Sequence, residues 1–257
     1  MKKIISFLTK WIPRQWLIKM SYVFSIVIRP FYIGNNVECP VCNGKFRKFL
    51  PYGYGEAMDN RLCPKCLSLE RHRLLWLYLS GKTDFFTANL KVLHFAPEQP
   101  YLKKFKKLKN LEYITADLDS PIADLQLDVT QMKLDDNFCD VLICNHVLEH
   151  VENLANAFSE IKRVLRPGGW AILLVPINID VDTFEDPSVT DPAERQRLFG
   201  QYDHVRQFGR DYCDVLRNAG FEVVEDRIYY ELDETTRLRM RLARRGEEII
   251  YKCVVNK

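Results

Sequence analysis

Residues 140–176 read DVLICNHVLEHVENLANAFSEIKRVLRPGGWAILLVP, and the fold turns on how this stretch divides. Cys139–Asn145 is a short apolar run, the pattern of a strand buried on both faces. Polar residues through Asn153 interrupt it, and the spacing that follows predicts a helix over 154–165. Pro167-Gly168-Gly169 is a turn, and 169–177 is a second apolar strand. Strand, turn, helix, turn, strand is the βαβ unit of a parallel sheet.

The same stretch contains His146-Val147-Leu148-Glu149-His150, which satisfies the H-x-x-E-H pattern of inverted zinc peptidases. On a helix the two histidines would share a face with the glutamate nearby. Here the motif begins where a buried strand ends, and a break precedes the next helix. That setting predicts a strand-end turn with a short helix rather than a peptidase metal site.

Outward from this stretch, apolar runs and amphipathic segments alternate from residue 71 to 257. The pattern predicts a helix over 69–79, a strand over 91–96, a helix over 99–108, and strands over 111–118 and 124–130. Beyond residue 177 it predicts a long polar loop over 178–208, a helix over 209–219, and strands over 221–230 and 248–256 with no helix between them. The fold class is therefore α/β: a Rossmann-like, mainly parallel seven-stranded sheet with an antiparallel edge, covered by helices on both faces. Glu70-Arg71-His72-Arg73 reads as a solvated face or as a docking surface for the preceding segment, with an anion site as the third reading.

That preceding segment holds Cys39, Cys42, Cys63 and Cys66, a C-x2-C-x20-C-x2-C spacing that fits a two-knuckle zinc ribbon. Four thiolates close the tetrahedron and leave no position for water, so the Zn2+ would be structural. Disulfides would need an oxidising compartment, which residues 1–34 do not signal: they lack a clean apolar core with a small-residue cleavage site. Cys139, Cys144, Cys213 and Cys253 sit in or near apolar segments and read as inert core thiols. Residues 1–34 are apolar and basic. Their longest uncharged run, 20–28, is too short to span a bilayer, which takes about 20 apolar residues. Lys19 and Arg29 bracket that run, and Trp11, Trp16, Tyr22 and Tyr32 are interspersed. The mix suits a helix lying in a membrane interface, or an arm packed on the protein itself. The chain thus divides into an apolar amphipathic arm (1–35), a zinc ribbon (36–70) and an α/β domain (71–257). Hydrophobic residues at 47% and charged residues at 28% fit a soluble globular protein, and a net charge of +3 gives little pull toward nucleic acid. The expected location is cytoplasmic, with peripheral contact at the inner face of the membrane.

With Arg163-x-Leu165-x-Pro167-Gly168-Gly169 running into an apolar strand, residues 85–257 resemble class I S-adenosylmethionine-dependent methyltransferases of the small-molecule group. The resemblance implies a cofactor held at the carboxyl ends of the strands. Asp117 would take the ribose hydroxyls, Asp128 the adenine amine with Val129 against the ring, and Asn145 and His146 would stand over the sulfonium side. The family's first loop is usually acidic and glycine-rich, close to D-x-G-x-G-x-G. Here it runs His94-Phe95-Ala96-Pro97-Glu98-Gln99-Pro100. In that loop Ala96 stands in for a glycine, and Glu98 holds the cofactor's ammonium in place of the acid missing at His94. The string VLHFAPE resembles zinc-ribbon-bearing bacterial methyltransferases. The implied activity is methyl transfer to a small-molecule or glycan acceptor, with His146 and His204 as the acceptor-side catalytic candidates. Asp203 beside His204 would orient its imidazole. Two alternatives stand beside it. One is rRNA or tRNA methylation, by resemblance to zinc-ribbon rRNA guanine methyltransferases, whose ligand pattern differs and whose target calls for more positive charge. The other is a non-catalytic binding protein that keeps the fold, for which the altered first loop speaks.

Overall fold

The computed structural model describes residues 14–53, 57–120, 122–243 and 245–255; the first part of the expected arm, with Trp11, lies outside them. Helix α1 (Arg14–Ile28) and a 3-10 turn at Arg29–Tyr32 lead into two hairpins. These are β1 (Ile33–Cys39) with β2 (Gly44–Phe46), and β3 (Leu50–Tyr52) with β4 (Met58–Leu62). Then come α2 (Glu70–Gly81), β5 (Leu90–Phe95), α3 (Gln99–Phe105), β6 (Leu111–Asp117), β7 (Leu125–Gln126) and β8 (Cys139–Asn145). A 3-10 turn at Leu148–His150 precedes α4 (Leu154–Val164) and β9 (Leu165–Leu174). The remainder is β10 (Ile177–Asn178), β11 (Phe184–Glu185), α5 (Pro192–Phe199), β12 (Arg206–Gly209), α6 (Tyr212–Asn218), β13 (Glu222–Asp226), α7 (Ile228–Glu231), α8 (Glu234–Met240) and β14 (Ile250–Val254).

Seven strands form one sheet in the order β13-β14-β9-β8-β5-β6-β7. The five from β7 to β9 are parallel, and β14 runs antiparallel to both its neighbours. The antiparallel pair therefore sits at the edge as expected, with the reversed strand one in from the end. From β5 the chain steps out to β6 and β7, then returns to place β8 on the other side. The carboxyl ends of β5 and β8 thus flank the switch point, where open α/β sheets bind ligands.

The central stretch folds as its pattern dictates. Val141, Leu142, Ile143 and Cys144 are wholly buried. Asn153 caps α4 by accepting the Asn156 N–H, and Ala157, Phe158, Ile161 and Val164 face the core. Each of the larger three contributes about 1.5–3 kcal/mol by burial. The Pro-Gly-Gly segment lies inside β9 rather than before it. Pairing steps from Cys139↔Leu165 to Val141↔Trp170, so residues 166–169 bulge out. Gly168 has φ +74°, and a Cβ on Gly169 would lie 2.8 Å from the Arg166 carbonyl oxygen and 2.9 Å from that of Asp140. Gly168 thus takes a conformation that favours glycine, and Gly169 has no room for a side chain. Arg163 of the same motif donates to the Met132 and Leu134 carbonyls and pairs with Glu160 and Asp136.

Four expectations need correction. The strand expected over 124–130 shrinks to two residues, because Asp124 turns back to accept from Thr115 and Asp128 closes a turn onto Thr130. The loop expected over 178–208 carries a small sheet, β10-β12-β11, and a helix capped by Asp191. Between β13 and β14 stand α7 and α8, the latter capped by Asp233. The run Glu70–Arg73 is not solvated, since Glu70, His72 and Arg73 are all buried. It docks the ribbon: Glu70 pairs with Arg61, and Arg73 donates to the carbonyls of Arg61, Ser68, Met240 and Arg241 while lying 4.6 Å over the Phe49 ring. One hydrophobic core runs from Val37, Phe46 and Phe49 of the hairpins through Leu74 and Leu75 into the sheet.

Candidate active site and metal centre

The two hairpins bring Cys39, Cys42, Cys63 and Cys66 together, with one ligand atom from each inside a 4.8 Å cluster. The Sγ atoms of Cys39 and Cys66 are 3.6 Å apart, and those of Cys42 and Cys63 are 3.7 Å apart. A Zn–S bond of 2.3 Å implies tetrahedron edges of about 3.8 Å. The set fits Zn2+ and does not fit disulfides, and all eight cysteines are free thiols. The other four are buried in the core as expected, and burial pushes Cys139 and Cys213 up to about 12.

Helix α2 starts just after Cys66 and carries His72 to the first loop. The His72 Nδ1 accepts the Leu69 N–H, so Nε2–H donates to Glu98 Oε1 at 2.7 Å. Burial keeps this imidazole below its ordinary range, consistent with that neutral tautomer. Asn145 Nδ2 donates to the other Glu98 oxygen at 3.0 Å. His94 Nε2 lies 3.7 Å and Arg71 Nε 3.9 Å from the same carboxylate. Burial alone would raise the Glu98 carboxyl, but the His72 and His94 imidazoles hold it well below the usual carboxylate range.

Glu98 is the hub of a buried network, with one donor on each of its oxygens. His94 is wholly buried, with Nδ1 on the Tyr113 hydroxyl at 2.7 Å. Ala96 takes a glycine-like backbone: its φ is +47° and its N–H bonds to the Ala116 carbonyl. At the end of β6, Asp117 Oδ1 accepts the N–H groups of Asp119 and Ser120, leaving Oδ2 for a ligand. Asp128 spends Oδ1 on the Thr130 N–H and hydroxyl, and Val129 is buried in the core. The residues fit a nucleoside cofactor in one respect that matters. His94 Nε2, Asn145 Oδ1 and Arg71 Nε are buried without hydrogen-bond partners around the carboxyl ends of β5 and β8. Orphaned polar atoms concentrated at a switch point mark a site shaped for a polar ligand. The sequence reading singled out Arg71 and His72 within the charged opening of this helix but did not place them against the first loop, because only the fold brings the two together.

On the β8–β9 side, His146 also has a left-handed backbone, φ +55°, and its N–H bonds to the Leu174 carbonyl. Its Nδ1 is 3.4 Å from Glu149 Oε1. The H-x-x-E-H segment is a turn followed by one 3-10 turn, so His146 and His150 do not share a helical face. The loop before β12 lies against it: the Val205 N–H bonds to the Glu149 carbonyl, and Arg206 donates to the carbonyls of Leu148, Val151 and Glu152. That places the His150 and His204 rings 4.8 Å apart, edge to face. Burial lowers the His204 imidazole, which favours its neutral form. A cavity of about 290 Å³ opens here, lined by Glu149, Ile177, Asn178, Phe199, His204 and Gln207 among others.

Residues 82–173 match the profile of a family described as a methyltransferase domain. Over that segment the chain is similar to methyltransferase domains. No curated protein matches the chain. Among solved structures, an S-adenosylmethionine-dependent methyltransferase from Mesorhizobium loti is similar at 15% identity, over 68% of this chain and 98% of its own, with a TM-score of 0.41. A Haemonchus contortus phosphoethanolamine N-methyltransferase in complex with S-adenosylmethionine is similar at 12% identity, over 72% and 53%, with a TM-score of 0.43. The [4+2]-cyclase SpnF is similar at 14% identity, over 92% and 94%, with a TM-score of 0.45. These are distant likenesses.

Proposed function

We propose that this methyltransferase domain acts on a small-molecule or glycan acceptor, with the ribbon cysteines holding a structural Zn2+. The observation that carries the reading is the constellation at the switch point: Asp117 Oδ2, the glycine-like turn at Ala96 and the orphaned atoms of His94 and Asn145. When bound, S-adenosylmethionine supplies an electrophilic methyl group on a sulfonium. The chain's part is then alignment and exclusion of water. Asp117 would bind the ribose hydroxyls, the His72–Glu98–Asn145 network would fix the first loop and the end of β8, and His146 would stand at the acceptor side. Titration calorimetry tests this. S-adenosylmethionine should bind, and Asp117→Ala should weaken it by about 10- to 100-fold, the loss of hydrogen bonds to a charged group. Absence of heat with the zinc-loaded protein sinks the reading. Labelled methyl transfer into fractionated cell extract then identifies the acceptor, and label in RNA would replace the small-molecule reading.

Helix α1 supports a second element of the proposal, contact with a membrane surface. Its Ser25 donates to the Lys65 carbonyl, Ser21 to Gln99, and Tyr22 lies under the Lys103 ammonium at 3.7 Å. The helix docks by this polar and tyrosine-bearing side. Met20, Val23, Phe24 and Val27 are exposed instead, continued by Phe31 and Ile33. A contiguous outward apolar stripe is what an interfacial helix presents. No helix among the described residues is long and apolar enough to cross a membrane. Flotation with phospholipid vesicles should recover the protein, and a Phe24→Glu, Val27→Glu double variant should stay behind. Equal flotation of both refutes the contact.

A further inference from the structure

We propose that Glu149, His150 and His204 form a divalent-cation site beside the 290 Å³ cavity that Glu149 and His204 line, separate from the four-cysteine cluster. One ligand atom from each lies within 4.8 Å of the others. Glu149 is 2% exposed, and its Oε2 is buried with no hydrogen-bond partner. A buried carboxylate oxygen left bare is costly unless a cation or donor meets it.

The two imidazoles are oriented as metal ligands are. His204 Nδ1 is held by the Phe199 carbonyl at 3.0 Å, and His150 Nδ1 by the Asp203 carbonyl at 3.3 Å with the Asp203 carboxylate at 3.5 Å. Each ring therefore keeps Nε2 for an ion, the arrangement in which a second-layer oxygen fixes the tautomer. Arg206 makes the cluster rigid by tying the Leu148–Glu152 backbone to β12. The grouping is not the peptidase pattern of the sequence motif: His146 is outside the set, and the third ligand comes from a loop far along the chain. Two imidazoles and a carboxylate suit Mn2+, Fe2+, Co2+ or Zn2+, and three protein ligands leave positions open toward the cavity.

The ion site deepens the methyl-transfer reading but is tested apart from it. Mn2+ is the probe, because thiolates of the ribbon compete for it poorly. It is titrated into the zinc-loaded full chain without S-adenosylmethionine, and the loss of the free-ion paramagnetic resonance signal is followed. One saturable Mn2+ per chain is expected. Glu149→Gln and His204→Gln should each weaken it at least about tenfold, and Asp117→Asn should leave it unchanged. His150→Gln, at a half-exposed position, should weaken binding equally with an unaltered melting temperature, which covers failure of the buried variants to fold. No saturable Mn2+ binding, or binding unchanged in His150→Gln, overturns the site. Calorimetry with S-adenosylmethionine on the same samples separates the two readings. Mn2+ binding without cofactor heat removes methyl transfer and keeps the ion site, and the reverse removes only the ion site.

Discussion

Ala96 and His146 hold left-handed backbones at the carboxyl ends of β5 and β8, and neither is the glycine that conformation favours. A left-handed L-residue costs about 1–2 kcal/mol. Ala96→Gly should therefore leave stability unchanged or raise it by up to about 1 kcal/mol in urea denaturation, where Ala→Gly normally destabilises. A clear loss would show that the turn carries no strain. Glu98 makes a second prediction. Its carboxyl is depressed in the folded state, so its contribution is complete above the unfolded value of about 4.3 and is lost as pH falls through the folded value. Glu98→Gln should be less stable than the parent at pH 7, and the gap should narrow below about pH 4. A gap that stays constant would mean that Glu98 is not ionised in its network. The place of Asp117 at the end of β6 was legible because the apolar run stops there. The partners of Glu98 were not, because His72 reaches it from another element and only the fold brings the two together.

At the scale of elements, α2 is a rigid link between two chemistries. It begins two residues after Ser68, which bonds to Cys39 and Cys66, and its His72 reaches Glu98 in the first loop. Tyr101 of α3 adds a bond to the His72 carbonyl. Stripping Zn2+ with a chelator should thus lower both the melting temperature and the affinity for S-adenosylmethionine, and Cys63→Ser should do the same. Unaltered cofactor affinity in a chelated sample that remains folded would show the link to be slack. The long elements were readable in advance because burial stamps a period on them, as in α4, where Ile161→Ala should cost about 2–5 kcal/mol. The two-residue strands β10 and β11, and the single turn of α7, are too short to carry a period. The two strands form where Arg206 and Asp211 bind across the 178–208 segment, contacts that no local pattern announces.

For the whole molecule, the sheet order was implied by the resemblance in outline, and what the sequence concealed is that ribbon and sheet share a core. Arg73 is the reason: an ion with no exposed surface needs four carbonyls, and two of them come from Met240 and Arg241 at the far end of the chain. Arg73→Met should therefore loosen the ribbon and the segment after α8 together, read as simultaneous loss of amide exchange protection in both. Loss in the ribbon alone would contradict the shared core. The position of β14 has a consequence for synthesis. It is made after β13 yet lies between β9 and β13, so Glu222–Asp226 has no place in the sheet until Ile250–Val254 has been translated. At about 5–20 residues per second, a nascent chain would carry the bare edge of β9 on the order of seconds, a template for wrong pairing that a cell producing this protein has to shield.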